Sequence, residues 1–238
     1  MNKQRLDQLL VNKGLVSSRS QAENYIKLGE VQVNGKTISK PGFFVSPDAR
    51  LTLSIKQQYV SRAALKLAST AEQIGLNFEG RTILDVGSST GGFTDFALRH
   101  GAVKVIAVDV GTDQLHPSLR DDGRIELHEK TDVRDLKINQ VPDIVLIDVS
   151  FISLREVLPA VTKLCGPETQ IAAMVKPQFE AGAHQINKGV IKNDTMRRQI
   201  LKDFEAWAKN MFAVIAKADS EVTGAKGNRE RFYLLRLA

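Results

Sequence analysis

Two apolar stripes open the chain. Leu6, Leu9 and Leu10 recur at helical spacing over residues 5–13, and Ala22, Tyr25 and Ile26 do so over residues 18–28. Gly14 and Gly29 stop these helices, and the hydroxyl of Ser17 or Ser18 suits the N-cap of the second. The period then drops to two. Val31-Gln32-Val33-Asn34-Gly35-Lys36 alternates apolar and polar residues up to an Asn-Gly pair, which predicts a hairpin because that pair tolerates the positive φ angles of a type I′ turn. Pro41-Gly42 and Pro47-Asp48 punctuate a further short strand region through Leu53 and Ile55. A boundary near residues 56–60 closes a small α+β module at 1–58, with a larger domain at 59–238.

From Ser61 onward helical patterns alternate with β-rich runs. A helix over 61–74 precedes strands predicted at 82–86, 103–109, 124–129, 143–148, 170–176, 211–218 and 230–237, the third having the weakest pattern. Such alternation predicts an α/β fold: a largely parallel sheet covered on both faces, with ligands at the carboxyl ends of its strands.

Composition narrows the setting. In 238 residues, 42% are hydrophobic, enough for a substantial core. The net charge of +6 is concentrated: residues 1–58 carry nine Lys and Arg against four Asp and Glu, whereas the remainder holds 24 against 23. One cysteine, Cys165, excludes an internal disulfide framework and suits a reducing, cytoplasmic setting. The longest apolar run, Met211 to Ala216, is far short of the roughly 20 residues of a membrane helix, so no stable membrane association is expected. His100, His116, His128 and His184 lack metal-ligand spacing, and no required metal is predicted.

The richest chemistry lies in Leu84-Asp85-Val86-Gly87-Ser88-Ser89-Thr90-Gly91-Gly92-Phe93, a buried strand breaking into a glycine-rich turn that opens a helix. Glycines let a backbone approach a ligand closely, and the first amides of a helix offer free donors. The spacing is G-x-x-x-G-G, not the G-x-G-x-x-G of a dinucleotide site. Asp85, Asp109, Asp132 (beside Val133) and Asp148 all fall at or just beyond predicted strand ends. Asp109, 24 residues beyond Asp85, is placed to meet ribose hydroxyls of an adenosine cofactor. NAD and S-adenosylmethionine both fit that chemistry, and the glycine spacing favours S-adenosylmethionine.

These segments, together with Arg5-Leu6-Asp7, Tyr59-Val60-Ser61-Arg62, Asp148 to Leu154, Val175-Lys176-Pro177-Gln178-Phe179-Glu180 and Gly227-Asn228-Arg229-Glu230, resemble the TlyA family. That group is often labelled hemolysin and is related to FtsJ-type ribose 2′-O-methyltransferases, with an S4 RNA-binding module in front. The resemblance implies a seven-stranded, Rossmann-like, S-adenosylmethionine-dependent methyltransferase domain acting on a ribose hydroxyl of ribosomal RNA, with cytidine as the family's nucleoside. It also implies a Lys-Asp-Lys-Glu tetrad at Lys66, Asp148, Lys176 and Glu230. A ribose hydroxyl is a poor nucleophile until a base takes its proton. Lys176 suits that role if desolvation or neighbouring positive charge favours its neutral form, because a free lysine titrates near 10.4. Asp148 and Glu230 would then orient the lysines and hydroxyl, with Lys66 positioning the ribose or its phosphate.

In the basic module, Lys3, Arg5, Arg19, Lys27 and Lys36 are candidate phosphate contacts, and Arg62, at the start of the helix bearing Lys66, is a further one. Ribosomal RNA or a ribosomal subunit is the expected partner. Residues 182–194 and 224–228 read as loops beside the catalytic strands. Phe151 and Phe179 could stack on a base, but an aromatic beside a buried strand reads first as core. Two competing functions remain: a membrane-active hemolysin, or a noncatalytic RNA-binding protein with a relic cofactor fold.

Overall fold

The computed structural model describes residues 3–16, 19–27, 29–53, 59–182, 190–191, 193–224 and 227–238. The proposed cap at Ser17 or Ser18, the Lys27 side chain and most of 182–194 lie outside them. The chain divides into two compact units, residues 1–65 and 66–238.

The first unit contains β1 (Gln4–Arg5), α1 (Leu6–Asn12), α2 (Arg19–Lys27), β2 (Val31–Val33), β3 (Lys36–Thr37), β4 (Phe44–Val45) and β5 (Leu51–Leu53). Asn34 and Gly35 take φ of 51° and 80°, and Val33 pairs with Lys36, so the Asn-Gly pair makes a two-residue hairpin loop. β5 pairs with the other edge of β2, while β1 and β4 form a separate two-stranded ladder. Leu6, Leu9, Leu10, Ala22, Tyr25 and Ile26 are all buried, as their spacing predicts.

The division between the units falls within α3 (Arg62–Ala68). This helix ends six residues before its predicted limit. Ser69 and Thr70 explain the stop: both hydroxyls donate to the carbonyl of Lys66, at 2.7 and 3.1 Å, and compete for the helical acceptor.

The second unit continues with β6 (Thr82–Val86), α4 (Gly92–Arg99), β7 (Lys104–Val108), α5 (Pro117–Arg120), β8 (Ile125–His128), β9 (Ile144–Ile147), α6 (Leu154–Val161), β10 (Gln170–Val175), α7 (Pro177–Glu180), α8 (Asp194–Ala208), β11 (Phe212–Asp219) and β12 (Arg231–Leu237). The strands form one sheet in the order β11-β12-β10-β9-β6-β7-β8. β8 through β10 run parallel, and β12 is antiparallel to both of its neighbours. All residues of β6 and β9 are buried, which accounts for their uninterrupted apolar runs. β8, at the sheet edge, is half-buried throughout and accordingly has the weakest sequence pattern.

Alternate residues divide the sheet faces. Leu84, Val86, Val145, Ile147, Ile171, Ala173 and Val175 join one core with Leu154, Val157 and Leu158 of α6 and Leu201 and Phe204 of α8. Asp85 points to the opposite face, where α4 lies, and Phe93 of α4 packs on Phe232 there with ring centroids 5.9 Å apart. Strand order reverses between β6 and β9, so a crevice is expected beyond their carboxyl ends. Among the described residues, no helix is long and apolar enough to cross a membrane.

Candidate active site

A cleft of about 500 Å³ lies at that reversal point, lined by Val86 at the end of β6 with Gly87 and Ser89 beyond it, Asp109 and Val110 after β7, Thr131 to Val133, and Asp148 to Ile152 after β9. Gly87 explains why the turn demands glycine. Its φ is +81°, and an added Cβ would stand 2.7 Å from the carbonyl oxygen of Asp148. Gly87→Ala is therefore expected to lose about 2–3 kcal/mol from left-handed strain and displacement of the β9 end, measurable by urea denaturation. Gly91, at φ +86°, caps α4, and its missing Cβ makes room for Leu115 and Leu119.

Asp109 uses both carboxylate oxygens to organise the turn: Oδ2 accepts the amide of Ser89 at 2.8 Å and Oδ1 that of Gly111 at 2.7 Å. Asp132 accepts a guanidinium fork from Arg134 as well as its backbone amide. Of the proposed cofactor set, Gly87, Ser89, Asp109, Asp132, Val133 and Asp148 line the cleft. Asp85, Ser88, Gly92 and Phe93 are buried beneath or behind the glycine turn, and Thr90 is exposed outside the lining. Thr94 donates its hydroxyl to Asp85 Oδ2 at 2.6 Å, and the buried Oδ1 has no hydrogen-bond partner among the described residues. Burial pushes the Asp85 carboxyl up to about 7; the Thr94 bond opposes this, while the charges of Asp148 and Asp109 add to it.

Beside the cleft, four ionisable side chains form two short pairs. Lys176 Nζ lies 2.6 Å from Asp148 Oδ1, and Lys66 Nζ lies 2.6 Å from Glu230 Oε2. Asp148 and Lys176 follow the parallel strands β9 and β10. Glu230 precedes antiparallel β12, whose Arg231 pairs with Val175, so it starts from the same edge. Lys66, Lys176 and Glu230 are buried. Largely enclosed ion pairs roughly break even in stability against apolar replacements, and two together at a sheet edge make this a candidate site. The cofactor chemistry also fits: the cleft beside the glycine turn carries the carboxylates of Asp109, Asp132 and Asp148, which can accept from hydroxyl and amine donors.

Several residues of the cleft are not assigned their place in it by the sequence. Ser150 lines the cleft and accepts a hydrogen bond from Lys176 Nζ at 2.7 Å. Gln114 lines it and accepts from the Ser89 hydroxyl. Phe151 corrects the expectation of a core aromatic: it is 92% exposed, holds φ of +65°, and lines the cleft. The sharp turn after β9 carries its side chain away from the sheet. Its ring centroid lies 5.2 Å from that of half-buried Phe179. At residues 224–228, the described part is a tied turn, with the Gly224 amide on the Asn228 carbonyl and the Gly227 amide on the Gly224 carbonyl.

Within the first unit, the candidate phosphate contacts differ. Arg5 donates to buried Asp7 through Nε and a terminal nitrogen at 3.0 and 2.8 Å, and Arg19 Nε adds a third bond at 2.8 Å. Burial pushes the Asp7 carboxyl up, but the two guanidiniums outweigh it and hold the group at about 2. Lys3 and Lys36 are exposed, and Arg62 is half-buried at the start of α3.

Comparison with known proteins identifies the family. The family model described as FtsJ-like methyltransferase matches residues 59–237, and the S4 domain model matches residues 4–51. The 16S/23S rRNA (cytidine-2′-O)-methyltransferase TlyA of Mycobacterium tuberculosis is 38% identical over 98% of this chain and 89% of its own length. The 23S rRNA (cytidine-2′-O)-methyltransferase TlyA of Campylobacter jejuni is 39% identical over 94% of this chain and 96% of its own. A solved structure from Streptococcus thermophilus, named as a hemolysin, is 37% identical with a TM-score of 0.74, covering 100% of this chain and 90% of that one. The chain belongs to the FtsJ-like methyltransferases and, with an S4 domain ahead of that fold, to their TlyA branch.

Proposed function

We propose that the protein transfers a methyl group from S-adenosylmethionine to the 2′-hydroxyl of a cytidine in ribosomal RNA. The observation that carries this reading is the buried Lys176–Asp148 pair opening onto a cleft floored by the glycine turn. S-adenosylmethionine, when bound, supplies a methyl carbon already activated by its sulfonium leaving group. Gly87, Ser89, Asp109, Asp132, Val133 and Asp148 would hold it. Asp85, Ser88, Thr90, Gly91, Gly92 and Phe93 shape and support the turn.

The protein's remaining task is at the hydroxyl. Lys176 takes the hydroxyl proton after giving up its own, and Asp148 and Ser150 aim its nitrogen. Glu230 holds Lys66 in place, and Lys66 in turn positions the ribose or its phosphate. Phe151 presents an exposed ring on which an unstacked base can lie. The module at 1–58 adds phosphate contacts through Lys3, Arg5, Arg19, Lys27 and Lys36, and Arg62 adds another from the domain at 59–238.

A mass-spectrometric map of ribose methylation on ribosomal subunits, with and without the protein, tests the proposal. The expected result is a 2′-O-methyl group on cytidine that appears only with protein and cofactor. Methylation confined to bases, or none on either subunit, would overturn it.

A further inference from the structure

The segment bearing Lys176 meets the segment bearing Asp148 at three successive places. Lys176 engages Asp148 and Ser150, the Phe179 ring packs on Phe151, and Glu180 accepts from the Ser153 hydroxyl at 2.6 Å and the Leu154 amide at 2.7 Å. The Glu180 side chain is 1% exposed, its Oε2 lies 3.7 Å from Arg155 Nε, and it belongs to neither ion pair of the tetrad. It is not simply a missing helix cap, because Ser153 already caps α6 by accepting from the Arg155 amide. What Glu180 adds is a tie between the end of α7 and the far end of the Phe151 turn. A bulky residue keeps a left-handed backbone only where its flanks are fixed. Here one flank, Ser150, is held by Lys176, and the other, Ser153, by Glu180.

We propose that Glu180 is a positioning residue for the target nucleoside, clamping the Phe151 turn to the Lys176 segment so that ring and amine address one nucleotide as a unit. This deepens the RNA-methylation reading and rests on it.

A double-mutant cycle in the full-length protein tests the clamp. Glu180→Ala is expected to lower kcat/KM for ribosomal RNA by about 10- to 100-fold, the scale of a misplaced reacting group. In a Phe151→Ala background the same change should cost less than about threefold, because the element it positions is gone. Glu180→Gln, which retains a carbonyl acceptor, should recover most of the loss, and S-adenosylhomocysteine affinity should stay within about twofold in the two single Glu180 variants. Equal losses in both backgrounds, or no loss in the first, would overturn the clamp. Hydrogen exchange separates this from the RNA reading: in Glu180→Ala, amides 149–155 should exchange faster while those of the glycine turn do not. Unchanged exchange at 149–155 sinks the clamp whatever the activity, whereas wild-type protein that methylates no RNA sinks the functional reading alone.

Discussion

Lys176→Ala should reduce methyl transfer at saturating substrates by about 10² to 10⁴-fold, the usual contribution of a positioned general base. Alanine removes the nitrogen that reaches both Asp148 and Ser150. It also leaves Asp148, with a side chain only 15% exposed, without its counter-ion. Stability should therefore fall too, so a rate loss in this variant alone is ambiguous. Lys176→Arg resolves the ambiguity. A guanidinium preserves the positive partner of Asp148 but does not deprotonate under ordinary conditions, so a folded and inactive Lys176→Arg protein is the expected outcome. Single-turnover transfer of labelled methyl groups, with thermal unfolding and S-adenosylhomocysteine calorimetry alongside, makes the measurement. Full activity in either variant would remove Lys176 as the base and leave the methyltransferase assignment intact.

Asp85→Asn is expected to make the protein more stable above neutral pH by on the order of 4 kcal/mol, and to change little below pH 4. The sign follows from proton binding. In the folded protein burial pushes Asp85 from an ordinary value of 3.8 to about 7, whereas in the unfolded chain it ionises near 3.8. Between these values the folded state holds the additional proton, so the stability contributed by this group is fully present below about 4 and is lost as pH rises through about 7. Asparagine has no proton to lose and can still accept the Thr94 hydroxyl. Urea unfolding of wild type and variant at pH 5 and pH 8 should show the gap widening with pH. A gap that is constant, or that narrows, would mean that Asp85 is ionised and solvated in the folded protein. Asp7 and Asp219 act in a separate window: burial raises both, but their arginine partners bring each to about 2, so their contribution is lost only on acidification toward 2.

Much of the fold is legible locally because its strands are buried on both faces. β6, β9 and β10 appear as apolar runs that need no partner to be recognised, and the Asn34-Gly35 turn has a backbone requirement few other pairs meet. Local reading fails where a side chain competes with the backbone or a turn redirects a strand. Ser69 and Thr70 end α3 early through their hydroxyls. Phe151 looks like core because it follows an apolar strand, yet its left-handed backbone turns it outward. The site is less legible than the fold. Lys66, Asp148, Lys176 and Glu230 have no periodic relation, and only resemblance to a family singles them out as a set. Ser150 and Glu180 stand inside matching motifs, but a hydroxyl and a carboxylate in a sequence do not disclose which amine or amide they will meet.

The amino-acid sequence by itself determined the succession of helices and strands, the hairpin, and a glycine turn suited to a small ligand, because backbone preferences and apolar spacing act over a few neighbouring residues. Tertiary structure alone decided that Gly87 must clear the Asp148 carbonyl, that Lys66 meets Glu230 while Lys176 meets Asp148, and that Asp85 sits beyond the reach of water. Those outcomes depend on strand order and on desolvation by residues remote in the chain, quantities that exist only once the sheet has closed around them.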